Sequence, residues 1–103
     1  MSVLLEYAMF PTDKGGSVSE YVSKVIEMIR NSGVSYKLTP MGTVIETETL
    51  DEALEIVKKS YGILEKDSDR VYSNIKLDIR KGRKDCMTGK IDSIEAKIGK
   101  VNK

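Results

Sequence analysis

The chain has 103 residues, 40 % of them hydrophobic, and its 17 Lys and Arg nearly balance 16 Asp and Glu. This length suits one domain rather than two, and the net charge of +1 gives no general reason to expect nucleic acid or a membrane surface as a partner. With no His and one Cys, the sequence excludes Ser-His-Asp and Cys-His nucleophiles, His-ligated metals and intrachain disulfides. The lone Cys86, together with the lack of a signal sequence or of a run of about 20 apolar residues, indicates a cytoplasmic protein.

The first segment of the chain predicts a strand followed by a helix. Residues 3–10 are rich in strand-forming side chains and are followed by Pro11, which ends the strand. Ser17 and Glu20 have the spacing of a capping box, which predicts that a helix begins at this point. Apolar residues then recur at helical spacing as far as Gly33, which is placed to end the helix.

The middle of the chain predicts a hairpin and a second helix. Residues 34–39 and 43–47 are short runs of strand formers on either side of a turn that contains Pro40 and Gly42. Thr49 begins a second capping-box pattern, and an amphipathic helix is expected to follow it up to residue 64.

The last third predicts a strand and a short helix. Residues 70–80 alternate between apolar and polar side chains, and residues 91–101 carry Ile and Val at helical spacing. The resulting order, β-α-β-β-α-β-α over residues 1–103, predicts one α+β domain of ferredoxin-like type. In this fold, a split β-α-β sandwich, two helices cover one face of a four-stranded antiparallel sheet.

The alternation along the strands predicts which side chains are buried. We expect the odd-numbered apolar residues of the first and last strands to lie under the helices, and the even-numbered residues to lie on an open face free of helices. The open face then mixes polar and apolar residues: Leu4, Glu6, Ala8, Val44, Glu46, Tyr72, Asn74, Lys76 and Asp78. Such a face suits a solvated surface, a subunit interface or a small-molecule pocket.

Several segments resemble the small thiamine-binding protein family. They are residues 17–22, 32–34, 36–46, 70–71, 75–80 and 90–95, so the resemblance extends over nearly the whole chain. It implies a ferredoxin-like fold, a homo-oligomer built as a dimer of dimers, and binding of thiamine or its hydroxymethylpyrimidine moiety without catalysis. The chain departs from the family pattern in the charged loop 12–16 and at Thr47, where Gly is expected.

Given that resemblance, three residues are the first candidates for contact with an aminopyrimidine. A carboxylate can meet both the exocyclic amine and the basic ring nitrogen of such a ring, and Glu46, next to the family-like hairpin, is placed to do so. Thr43 and Asn74 are candidates for directional hydrogen bonds. Each of the three is also an ordinary residue for a strand surface.

Three further candidates have equally good structural explanations. Asp78 is a ligand candidate or an ion-pair partner of a neighbouring Lys or Arg. Ser17 is a candidate for ligand or phosphate contact at a helix N-terminus, or simply the helix cap. Met41 is a candidate to cover the flat ring, or a packing residue.

Three other classes of function remain as alternatives. A homo-oligomeric scaffold or interaction protein without a small-molecule ligand is the main competitor, because an uncovered sheet and complementary charges suffice to form an oligomer. An enzyme of the acyl-phosphate-hydrolysing kind would need an Arg in the loop before the first helix, and none is there. A nucleic-acid platform would need stacked aromatic residues in a positive field, whereas the open face carries Glu6, Glu46 and Asp78. We expect no cofactor and no metal.

Overall fold

The elements of the computed structural model follow the predicted order, and the structure describes residues 1–16 and 18–103. They are β1 (Ser2–Pro11), α1 (Ser19–Ser32), β2 (Ser35–Thr39), β3 (Gly42–Thr47), α2 (Leu50–Glu65), β4 (Val71–Arg80) and α3 (Cys86–Ile98). The strands form one antiparallel sheet in the order β2-β3-β1-β4. The ferredoxin-like fold is therefore confirmed.

The ends of the helices largely follow the local sequence signals. The Thr49 hydroxyl accepts a hydrogen bond from the Glu52 amide at 3.2 Å and caps α2 as predicted. Gly33 ends α1 with φ of 81°, a left-handed conformation that suits a residue without Cβ. At its other end α1 begins at Ser19, with Val18 as its N-cap. The capping role predicted for Ser17 lies outside the described residues.

The hydrophobic core lies between β1 and β3 and the two helices α1 and α2. On β1, Val3, Leu5 and Tyr7 are buried and Met9 is partly buried, which confirms the predicted alternation. The side chains buried against them come from α1, β3 and α2: Val25, Ile29, Ile45, Ala53, Ile56 and Leu64. No helix in the described part of the chain is long and apolar enough to cross a membrane.

The prediction that the odd-numbered apolar residues of β4 are buried under the helices is wrong for most of the strand. Ile75, Leu77 and Ile79 lie on the helix side of the sheet but are 42 %, 45 % and 45 % exposed. Both helices pack on β1, and α2 also packs on β3 and β4, where Val71 is the β4 side chain packed against the core. The rest of β4, at the edge of the sheet, keeps an exposed apolar row.

The prediction that one face of the sheet is free of helices is also wrong, because α3 lies on that face and contacts β1 and β3. The helix begins at Cys86, five residues before the predicted start at Ile91. Its first amides bind the Glu46 carboxylate, and its Lys90 binds Asp78, two side chains that flank Leu4 on the same face. Cys86, the first residue of α3, is buried at this contact.

Two glycines are expected to respond to alanine substitution with opposite signs. A Cβ at Gly42 would lie 3.0 Å from the carbonyl oxygen of Tyr7. Gly42→Ala should therefore lower the free energy of unfolding by about 1 kcal/mol or more, because two strands must move apart. Gly62 lies within α2 with open space around the added Cβ, so Gly62→Ala should raise it by about 0.5–1 kcal/mol. Urea denaturation of both variants tests this, and two shifts of the same sign would contradict the close contact at Gly42.

Candidate functional site

A cavity of about 570 Å³ opens on the helix side of the sheet, between the start of α1, the end of β1 and the β2–β3 hairpin. Its size is within the range typical of small-molecule sites. Its lining residues come from these three places: Tyr7, Ala8, Met9, Phe10, Gly16, Val18, Ser19, Val22, Val25, Ile26, Leu38, Thr39, Pro40, Met41, Gly42 and Thr43.

The hairpin wall of the cavity is shaped by a tight turn. The Thr39 hydroxyl donates to the carbonyl oxygen of Gly42 at 2.8 Å and accepts from the Met41 amide at 3.3 Å. This turn leaves Met41 87 % exposed at the rim of the cavity. A flexible thioether at the rim is suited to cover a flat apolar ligand.

The loop before α1 is fixed by a carboxylate. Asp13 accepts hydrogen bonds from the Ser68 hydroxyl at 2.6 Å and from the Asp69 amide at 2.9 Å. Both bonds lower the pKa of the Asp13 carboxyl, and the Ser68 bond has the larger effect. The charged loop that departs from the family pattern therefore ties the entrance of α1 to the segment before β4.

Tyr7 is the lining residue with the most constrained polar group. Its hydroxyl lies 2.6 Å from the Ser60 hydroxyl in the buried core, and Ser60 also donates to the Ile56 carbonyl at 2.7 Å. Burial raises the pKa of the Tyr7 phenol, and the Ser60 hydrogen bond only partly opposes this. The phenol therefore stays protonated and bound to α2, so Tyr7 contributes its ring, rather than an acid or a base, to the cavity.

The described lining residues contain no charged side chain. The walls are aliphatic, aromatic and thioether groups, and the side-chain hydroxyls among them belong to Tyr7, Ser19, Thr39 and Thr43. Placing an ion in such surroundings is unfavourable, whereas a neutral aromatic ring loses little solvation and gains dispersion contacts. The cavity is therefore suited to a flat, neutral ligand that needs a few hydrogen bonds.

Glu46, the first candidate from the sequence, lies on the opposite face of the sheet and does not line this cavity. Its carboxylate accepts hydrogen bonds from the Ser2 hydroxyl at 2.5 Å, the Cys86 amide at 2.9 Å and the Met87 amide at 3.2 Å. Burial raises the pKa of Glu46, but the three hydrogen bonds together outweigh burial and the net pKa is lowered. The carboxylate thus occupies the N-terminus of α3.

The structure separates five of the six predicted site residues into two groups. Met41 and Thr43 line the cavity, and Ser17 lies outside the described residues, although its neighbours Gly16 and Val18 line the cavity too. Asn74 and Asp78 lie on the other face, on β4, and the Asp78 carboxylate pairs with Lys90 at 2.5 Å. That bond is the main cause of the lowered pKa of Asp78.

Several lining residues were not among the sequence candidates. Val22 and Ile26 belong to the apolar stripe of α1. Helical periodicity alone assigns such residues to the core, but both are only partly buried and line the cavity. Phe10 ends the apolar run of β1. No group of three or more Cys, Asp or Glu side chains in the described chain is arranged to hold a metal ion.

The family of the chain follows from a match along most of its length. A family model described as thiamine-binding protein matches residues 5–95. The chain belongs to this family. Its relatives include UPF0045 proteins of Methanocaldococcus jannaschii, 37 % identical over 89 % of this chain and 91 % of the relative, and of Methanothermobacter thermautotrophicus, 37 % identical over 80 % and 84 %.

Solved structures share the fold. A crystal structure of a Methanocaldococcus jannaschii protein has a TM-score of 0.81 at 36 % identity and covers 90 % of this chain and 95 % of its own. A Thermotoga maritima protein, whose proposed role is thiamine biosynthesis or salvage, has a TM-score of 0.78 over 91 % and 99 % of the two chains. At 23 % identity, this structural likeness shows the fold alone.

Proposed function

We propose that the protein binds thiamine through its neutral aminopyrimidine moiety, in the cavity between α1 and the β2–β3 hairpin, without catalysis. The uncharged, largely apolar cavity carries this proposal. Membership of the thiamine-binding protein family supports the class of ligand. Such a protein would act as a carrier, buffer or sensor of the vitamin or of its hydroxymethylpyrimidine part.

The lining supports the pyrimidine, rather than the rest of thiamine, as the bound moiety. The ring is flat and neutral and would pack between apolar walls, with the Thr43 and Ser19 hydroxyls near its polar edge. The thiazolium cation and any phosphate would remain towards the solvent, because no charged side chain in the described lining would compensate them. We therefore expect similar affinity for thiamine, thiamine phosphate and hydroxymethylpyrimidine.

The absence of catalysis is part of the proposal and has a chemical basis. Among the described lining residues the one titratable side chain is Tyr7, whose pKa is raised by burial and whose hydroxyl is bound to Ser60. General acid–base chemistry at neutral pH needs a group with a pKa close to the working pH. The cavity is thus equipped to hold a ligand rather than to transform it.

Isothermal titration calorimetry with the three ligands tests the proposal. Saturable binding with one site per chain and similar affinities would support it. A ranking in which only the phosphate binds would overturn the pyrimidine assignment. An absence of heat and of thermal stabilisation with all three would leave the ligand-free scaffold as the better explanation.

Thr43→Val should weaken binding about fivefold or more, because it removes one hydroxyl while keeping the side-chain shape. Thr47→Val is the matched control: Thr47 is also buried on the same face of β3, but it lies outside the cavity and donates to the Thr49 carbonyl at 2.7 Å. The control should lose stability and keep its affinity. Equal affinities for Thr43→Val and the unmodified protein would rule out a Thr43 hydrogen bond to the ligand.

A further inference from the structure

A second cavity, of about 310 Å³, lies where β4 ends and α3 begins. Its lining residues come from the last residue of β4, the loop 81–85 and the first two turns of α3: Arg80, Arg83, Lys84, Asp85, Cys86, Gly89, Lys90 and Ser93. Arg80 pairs with Ser2 at the start of β1, whereas the first cavity lies at the end of β1, about 20 Å away along the strand. The two cavities have no lining residue in common and are therefore separate.

The lining of this second cavity is strongly basic. Four of its eight residues are Lys or Arg, and only Asp85 is acidic. From residue 76 onwards the chain carries nine Lys and Arg and four Asp and Glu, so the cavity lies in the basic part of the sequence. A local excess of one charge attracts ions of the opposite charge, even where the net charge of the whole chain is only +1.

Three of the four cations have no carboxylate partner. In the described chain, Arg80, Arg83 and Lys84 form no ion pair with an Asp or Glu side chain. The fourth cation, Lys90, pairs with Asp78, which fixes its amino group beside the cavity. Like charges gathered around one space repel each other, and an anion bound among them replaces this repulsion with attraction.

The donor groups around the cavity match the oxygens of a phosphate. A guanidinium group binds two phosphate oxygens through its planar fork of N–H donors, and an ammonium group adds a point charge. The Ser93 hydroxyl lines the same cavity as an uncharged donor. The volume of about 310 Å³ is at the lower end of the range for small-molecule sites. A nucleic-acid strand would need aromatic stacking partners, and the described lining contains none.

We propose that this cavity binds a phosphate group, either free or carried by a small molecule, and that the bound anion holds α3 on the sheet. The cations belong to three parts of the chain: Arg80 to β4, Arg83 and Lys84 to the loop, and Lys90 to α3. One anion in contact with all three parts would link the end of the strand to the start of the helix.

The anion would add to the contact that Glu46 already makes with α3. The Glu46 carboxylate binds the Cys86 and Met87 amides, and Cys86 also lines the basic cavity. The start of α3 thus lies between a carboxylate of the sheet and a cluster of cations. Repulsion between Arg80 on the strand and Lys90 on the helix opposes docking of α3, and an anion bound to both would remove it.

A titration of the ¹⁵N-labelled protein with inorganic phosphate, and separately with ribose 5-phosphate, tests the site. Sodium chloride keeps the ionic strength constant, so that general screening does not contribute. Saturable amide shifts are expected at Gly89, Lys90 and Ser93, with small shifts at Ala8 and Thr43 in the first cavity. Tighter binding of ribose 5-phosphate would identify a phosphorylated small molecule as the ligand class, and equal affinities would identify the phosphate group alone. Shifts that do not saturate with either probe would overturn the proposal.

A pair of double variants tests which cations bind the anion. Arg83→Gln combined with Lys84→Gln should weaken binding of both probes about tenfold or more, because two charge-assisted contacts are lost. Lys97→Gln combined with Lys100→Gln is the matched control, since it removes two positive charges from the same basic part of the sequence but none from the cavity lining. Equal affinities of the two double variants would overturn the assignment of the site.

Hydrogen exchange tests the effect of the anion on α3. At a phosphate concentration ten times the dissociation constant, the amides of α3 should exchange about tenfold more slowly, because the anion binds the docked helix and not the released one. The double variant Arg83→Gln, Lys84→Gln should show much less of this protection at the same concentration. Exchange of α3 that saturating phosphate leaves unchanged would contradict the proposed link between strand and helix.

Discussion

Val22→Trp should abolish ligand binding while the protein stays folded. Val22 belongs to the apolar stripe of α1, lines the cavity and is only partly buried. An indole at this position would occupy the part of the cavity proposed for the ligand ring. Its bulk would extend into the open cavity rather than into the packed core. We expect calorimetry to show a loss of roughly 100-fold or more in affinity, with little change in melting temperature.

The control for this substitution is Lys58→Trp. Lys58 is exposed on α2 and does not line the cavity, so the same large side chain is added at a helix surface without obstructing the site. Its affinity should match that of the unmodified protein. If Val22→Trp binds as tightly as the control, the ligand binds elsewhere.

Glu46→Gln should release α3 from the sheet. The substitution removes the charge that holds the Cys86 and Met87 amides and the Ser2 hydroxyl. Hydrogen bonds to a charged acceptor contribute about 1.5–3 kcal/mol, so the docked state of α3 should lose about 2 kcal/mol. Because α3 packs on the face of the sheet opposite the hydrophobic core, we expect local opening of this helix rather than global unfolding.

Hydrogen exchange measures this release directly. Amides of α3 should exchange on the order of 30-fold faster in Glu46→Gln, whereas amides of β1 in the core should change little. Glu48→Gln is the control, since Glu48 is exposed two residues further along the same segment. Unchanged protection of α3 in Glu46→Gln would show that the carboxylate does not hold the helix.

The docking of α3 should also depend on pH. The pKa of Glu46 is lowered from 4.5 in the folded protein, so the carboxylate stabilises the docked helix fully above about pH 4.5. This contribution is lost as the pH falls through the lowered pKa, because protonation removes the charged acceptor. Glu46→Gln should lack this part of the acid dependence.

Much of the fold could be predicted because strand alternation and helix-end signals are local features of the sequence. The alternation of β1 correctly assigns Val3, Leu5 and Tyr7 to the core, and Thr49 and Gly33 mark helix ends through their own backbone and side-chain chemistry. The start of α3 could not be predicted in this way. Its first amides are bound by Glu46, forty residues earlier in the chain, and its own N-cap residue Asp85 makes no side-chain capping bond.

The prediction that the apolar residues of β4 are buried was wrong for a related reason. Alternation gives the face on which Ile75, Leu77 and Ile79 lie, but it does not give the lateral position of the helices on that face. The helices pack mainly over the centre of the sheet, and the edge strand stays exposed.

The candidate site was only partly accessible from the sequence. Met41 and Thr43 belong to the hairpin, and the structure places both at the cavity. Glu46 is the residue chemically best suited to an aminopyrimidine, but residue type does not reveal that its carboxylate already accepts hydrogen bonds from two amides of α3. Contact of any of these residues with ligand stays a prediction.

The most direct measurement is a titration of the ¹⁵N-labelled protein with hydroxymethylpyrimidine, followed by amide chemical shifts. Binding in the proposed cavity predicts the largest shifts at Ala8, Val22, Gly42 and Thr43, which line it, and small shifts at Cys86 and Met87. Large shifts at Cys86 and Met87, with unchanged signals from the cavity, would contradict the assignment and place the ligand at Glu46.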